Sequence, residues 1–163
     1  MSGDHQRAYS TRQWFWAVNL SAALGAVGSL LPAAAKAPLQ ATMLFPYALV
    51  VALIIAWVFV APALAYAMRK PASWLRTATL GGGTAASIAL VGFAIATGRR
   101  LRAQADPSYY YQLGGGEYVR DVDGILTPYG WWVIIQNNLL FVALGVLVAL
   151  IVRSVIGPGK MPL

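Results

Sequence analysis

Cysteine is absent from all 163 residues, which removes disulfides, thiolate metal sites, iron–sulfur clusters and cysteine nucleophiles together. Histidine occurs once, as His5 in the polar N-terminal tail. Two imidazoles therefore cannot clamp a haem between helices, and a zinc site of the usual type lacks its ligands. Charge is scarce as well: only 10% of residues are charged, against about 25% in a soluble domain. The balance is basic, with 12 Lys and Arg against five acids and a formal net charge of +7. The cations are spread thinly beside long apolar runs rather than massed into a stripe, so anionic lipid headgroups match them better than nucleic acid does.

What fills the chain instead is apolar surface, at 59% of residues. That excludes a disordered tract and an ordinary water-soluble domain alike. Four stretches, about 14–32, 43–67, 77–98 and 131–152, contain no Asp, Glu, Lys, Arg or His, and each approaches or exceeds the roughly 20 residues needed to cross the hydrocarbon core. Every backbone amide in lipid must be satisfied within its own segment. These stretches are therefore expected to be helices, and the lack of apolar–polar alternation excludes a barrel. The expected fold is an all-α integral membrane protein of one domain, with four transmembrane helices in a small bundle and one ordered extracytoplasmic loop over 99–130.

The basic flank of the first span and the small residues Ala33 to Ala35 look like a signal peptide. The apolar stretch is longer than a typical h-region and the chain still begins at Met1, so this span is expected to be retained. Orientation follows the Lys and Arg near span ends. Arg7, Arg12, Arg69, Lys70, Arg76, Arg153 and Lys160 fall on the side of the termini, against Lys36, Arg99, Arg100, Arg102 and Arg120 on the other. The arginines of the 99–130 loop are matched by Asp106, Glu117, Asp121 and Asp123, so the surplus belongs to the other side. This places both termini in the cytoplasm, with the protein in the cell inner membrane. The six tryptophans fall mostly near span ends, as interfacial rings do.

Small residues recur every four positions at Ser21, Gly25 and Ser29, at Gly81, Ala85 and Ala89, and at Gly145 and Ala149. Such faces let backbones approach and are candidate packing seams. Pro46 and Pro62 interrupt the second span and can bend it. The Gly81 to Gly83 run lacks the lysine and the strand–loop–helix setting of a phosphate loop, so it reads as a place of close packing.

Two constellations remain as candidate sites. Gln136, Asn137 and Asn138 form the most polar patch inside any span, about two turns from Trp131 and Trp132. Amides there either bond across helices or hold a polar ligand such as a quinone headgroup. Asn19 enters its span from the opposite side, which makes a direct bond to Asn137 unexpected. The second is the loop, where Tyr109, Tyr110, Tyr111, Tyr118 and Tyr129 mix with arginines including Arg120. That matches the aromatic and Arg enrichment of protein interfaces. Asp121-Val-Asp-Gly is a fragment of a calcium-loop pattern without its remaining ligands.

In length, basic charge and number of spans the chain resembles in outline the lipoprotein signal peptidases, whose two aspartates belong to separate motifs near the third and fourth spans. Here Asp121 and Asp123 share one loop, the fourth span has no aspartate, and that family's asparagine-rich signatures cannot be placed. Its activity is therefore not expected. Ion translocators place titratable groups within the membrane, enzymes need an acid, base, nucleophile or metal, and all four spans lack such groups. No catalytic residue, cofactor or metal is expected. The leading expectation is a non-catalytic accessory or assembly subunit of a larger inner-membrane complex of respiratory, photosynthetic or secretion type, with other membrane-protein subunits and lipids as partners. The alternative is a small binding or transport module for a lipid, quinone or neutral solute.

Overall fold

Polar caps or a first-turn proline, not the apolar runs, set where the long helices begin. The computed structural model describes residues 9–71, 73–106, 110–157 and 159; Tyr109, His5, Arg7 and Lys160 lie outside them. Helix α1 (Thr11–Ala34) opens on a capping box, in which the Gln13 amide donates to Ser10 Oγ at 3.2 Å and the Ser10 amide donates to Gln13 Oε1 at 2.8 Å. Helix α2 (Pro38–Ile55) begins on a proline, whose missing N–H costs nothing in the first turn. Helix α4 (Trp74–Gln104) is capped by Ser73, which accepts from the Arg76 amide at 3.2 Å. Helix α5 (Pro128–Ile156) combines both devices, with Pro128 in its first turn and Thr127 Oγ1 accepting from the Gly130 amide at 3.0 Å. It stops at Gly157, which has φ +89° and returns its amide to Arg153 O at 2.9 Å.

Each helix therefore outruns its charge-free window by several residues. In particular, α4 continues through Arg99, Arg100 and Arg102, which shortens the connecting loop expected over 99–130 to 105–127. The stretches Thr11–Pro32, Pro38–Ala67, Trp74–Gln104 and Pro128–Ile156 are long and apolar enough to cross a membrane, the mark of a multi-pass membrane protein.

Between α2 and α3 (Ala61–Ala67) the helix widens into a π-segment, Ala56–Val60, closed by the Ala61 amide donating to Ala56 O. The cause is local. Pro62 has no N–H and its ring crowds the carbonyl one turn back, and a wider turn relieves both problems without breaking the helix.

The described residues form two compact units, one from Met1–Thr84 with Leu144–Leu163 and one from Ala85–Ala143. In the first, α1 packs on the second span through Val18, Ala22, Ala56 and Ala61, with Trp14, Ala52, Leu53, Val60 and Leu64 around them. Trp14 Nε1 donates to Ala61 O at 3.1 Å, and its ring meets Trp57 edge-on at 5.5 Å. The buried line on α1 is Val18, Ala22 and Ala26. Ser21 and Gly25, one position earlier, are half-buried, and Ser29 is exposed. A Cβ added at Gly25 would meet nothing, whereas one at Gly81 would press into Ala149 Cβ and lie 2.8 Å from Gly145 O. At that end of α5 the Arg153 guanidinium lies 3.9 Å above the Trp74 ring.

Candidate functional site

The second unit contains the connecting loop and the polar part of α5. Its loop folds into a three-stranded antiparallel sheet of very short strands, β1 (Gln112–Leu113), β2 (Asp121–Val122) and β3 (Ile125–Leu126). Asp123 and Gly124 join β2 to β3 with φ of +49° and +81°. Positive φ at both central positions is what a type I′ hairpin demands, and Asp-Gly is a leading sequence for it. The Asp-Val-Asp-Gly run is thus a hairpin turn here. Its carboxylates are used locally: Asp123 Oδ1 accepts from the Tyr111 amide at 3.0 Å, and Asp121 Oδ2 pairs with Arg100 Nε at 3.0 Å. Among the described residues no three His, Asp or Glu side chains converge as a metal site would require.

The last turn of α4 holds this hairpin. Arg100 and Gln104, four residues apart and so on one helix face, reach Asp121 and Gly124 respectively, the latter through Gln104 Nε2 donating to Gly124 O at 2.9 Å. A Cβ on Gly124 would sit 2.6 Å from Arg100 O, so both the dihedral and the close approach require glycine. On the other side, Thr127 ties the sheet to α5: its amide donates to Arg120 O at 3.1 Å and its hydroxyl donates to Val119 O at 2.5 Å. The loop is therefore a small built platform.

What it presents is aromatic. Tyr110 is 80% exposed and Tyr118 66% exposed. Tyr118 meets Tyr129, in the first turn of α5, edge-on at 5.6 Å. Arg120 is exposed, while Tyr111 is half-buried with its backbone bonded both ways to Asp123. From Tyr129 the exposed surface continues down α5 through Trp132, Gln136, Leu139, Leu140 and Ala143, spaced so that they share one helical stripe.

The amides lie within this surface. Gln136 and Asn137 are exposed and Asn138 is half-buried, and none of the three makes a side-chain hydrogen bond among the described residues. Thr97 Oγ1 on α4 is likewise without a partner among the described residues, but six other polar side chains in the long helices behave differently. Asn19 donates to Phe15 O, Ser21 to Ala17 O, Ser29 to Ala26 O, Thr42 to Pro38 O, Thr84 to Leu80 O and Ser154 to Leu150 O. Each of these is satisfied within its own helix. Asn19 is therefore occupied on its own backbone.

No family model, no curated protein and no solved structure matches this chain. The functional reading rests on the chain's own geometry. Of the residues singled out from sequence, Tyr110, Tyr118, Arg120, Gln136 and Asn137 are brought to the surface of one unit, and Ala85 and Ala89 of α4 are buried and half-buried in it. Gly81, Gly145 and Ala149 meet in the other. Sequence pattern alone does not assign the platform-building role of Arg100, Gln104, Thr127 and the Asp123–Gly124 turn. Asp-Gly before an apolar pair, and Thr-Pro before a long apolar run, are the signals that mark them.

Proposed function

We propose that this chain is a non-catalytic accessory or assembly subunit of a larger complex in the cell inner membrane, docked on its neighbours through the exposed stripe of α5 and the Tyr/Arg platform. One observation carries the reading: Gln136 and Asn137 stand exposed and without a side-chain hydrogen bond among the described residues, about 12 Å into a helix that is apolar around them. Acyl chains cannot hydrogen-bond an amide, and each primary amide offers two donors and an acceptor. A second helix placed against the stripe would satisfy them, at about 0.6 to 2 kcal/mol for each bond. The exposed tyrosines and Arg120 supply the residue types that anchor interfaces. The excess of Lys and Arg at the terminal ends of the helices supports cytoplasmic termini.

The test is extraction of the protein from its native membrane in mild detergent followed by native mass measurement. Stoichiometric partner subunits are the expected result. The double variant Gln136→Leu, Asn137→Leu should still insert, because leucine suits lipid better than an amide, yet retain at least tenfold less partner. A solitary chain carrying a bound small molecule, or full partner retention by the double variant, overturns the subunit reading, and the former favours a binding module that uses the amides as ligands.

A further inference from the structure

The first unit contains a groove that the docking surface does not use. It lies between the start of α1 and the end of α5, has a volume of about 340 Å³, and is lined by Arg12, Gln13, Trp16, Leu20, Val155 and Ile156. Two bonds fix its walls at this end: Gln13 Nε2 donates to Ile156 O at 3.4 Å and Tyr9 Oη donates to Gly157 O at 3.3 Å. Because Ile156 O is the last carbonyl of α5, the Gln13 bond also relieves an otherwise unsatisfied helix end, and the Tyr9 bond holds the residue that follows it. Below them the lining is apolar, and Trp16 and Val155 stay exposed. At the mouth, Arg12 is exposed and makes no ion pair or hydrogen bond among the described residues.

From the structure we infer that this groove is a binding site for one anionic glycerophospholipid, with the phosphate on Arg12 and an acyl chain along Trp16, Leu20 and Val155. Spacing supports this occupant. Arg12, Trp16 and Leu20 follow at four-residue steps of about 6 Å on one face of α1. That sequence reproduces the order of a bilayer leaflet, in which a headgroup layer of roughly 7 Å gives way to hydrocarbon. Tryptophan at the middle step matches the boundary position its ring prefers. Charge supports it equally. Contacts of Trp14 with Ala61, Gln13 with Ile156 and Trp74 with Arg153 bring the helix ends bearing Arg12, Arg69, Lys70, Arg76 and Arg153 together in this unit. Between Asp4 and Asp106, and again beyond Asp123, the sequence has no acid to neutralise them. A zwitterionic lipid fills the same groove but brings no net negative charge to Arg12 at its mouth, so the site selects for negative headgroup charge.

Full-length protein in detergent, titrated with phosphatidylglycerol, phosphatidylcholine or inorganic phosphate and read by native mass spectrometry, tests this. One phosphatidylglycerol is expected to remain bound per chain, with phosphatidylcholine held about fivefold more weakly and phosphate unable to displace either. Arg12→Gln should remove the preference between the two lipids, and Arg12→Lys should restore most of it. Val155→Trp, which fills the groove from its exposed rim, should reduce retention of both lipids. In the wild-type chain, a brominated acyl chain on phosphatidylglycerol should quench a fluorescence component that is missing from Trp16→Phe. Equal retention of the two lipids, an Arg12→Gln variant that still prefers phosphatidylglycerol, displacement by phosphate alone, or quenching unchanged by Trp16→Phe would each overturn the inference.

Discussion

Replacing Gly81 by valine is expected to cost about 3 kcal/mol. A Cβ there enters the space of Ala149 Cβ and comes within 2.8 Å of Gly145 O. Neither neighbour can rotate away, because one is a carbonyl of the facing backbone and the other a β-carbon fixed to it. The two helix segments have to separate, which forfeits dispersion along the whole contact, the main attraction available between helices where lipid is as apolar as the side chains. Thermal unfolding in detergent measures this. Gly83→Val is the matched control: it lies two residues along the same helix, its added Cβ meets nothing within 4 Å, and it should cost nothing measurable, since valine is the better helix former of the two by about a few tenths of a kcal/mol. Equal losses for the two variants would mean that the Gly81 contact contributes nothing.

The second large effect is expected at Asp121. This side chain is 3% exposed and pairs with Arg100, while its other oxygen, Oδ1, is buried without a hydrogen bond among the described residues. Asp121→Ala strands a guanidinium over the hairpin. Losing one member of a buried pair costs about 3 to 5 kcal/mol in general, but the Arg100 side chain keeps 23% of its surface exposed and can recover some hydration, so about 2 kcal/mol is the appropriate scale. Amide exchange across 110–127 should then accelerate roughly thirtyfold, while exchange within α1 stays unchanged. Asp121→Asn, which keeps an acceptor facing Arg100, should fall between. Unaltered exchange in the alanine variant would show that the hairpin is held by Gln104, Gly124 and Thr127 alone.

The four long helices were legible because lipid-like composition is a bulk property that needs no partner to recognise it. Their ends were harder to place: Ser10, Ser73 and Thr127 act through single hydrogen bonds outside the apolar windows, and Arg99 to Arg102 look like loop by charge while being helical by backbone. On α1 one four-residue repeat of small residues runs along Ser21, Gly25 and Ser29 and another along Ala22 and Ala26, and the second is the line buried within this unit. Which line faces a neighbour depends on that neighbour. In the loop, Asp-Val-Asp-Gly fits both a calcium-loop fragment and a hairpin turn by residue type, and only the positive φ at Asp123 and Gly124 separates the two. The amide patch was visible from residue identity alone, but its lack of bonding partners could be seen only once other polar side chains were found folded back on their own helices.

The wide turn at Ala56–Val60 governs the rotational phase of the second span. In a regular helix Ala56 and Ala61, five residues apart, would differ in azimuth by about 140° and could not both face one neighbour. The π-segment takes up the surplus angle, so both alanines lie against α1 with Trp14 bonded at the junction. Removing one residue from 56–60 and restoring a regular α-helix would leave the same two alanines four residues and about 40° apart, still facing α1; the π-segment thus lets the second span carry one extra residue without turning Ala61 and the Trp14 acceptor away.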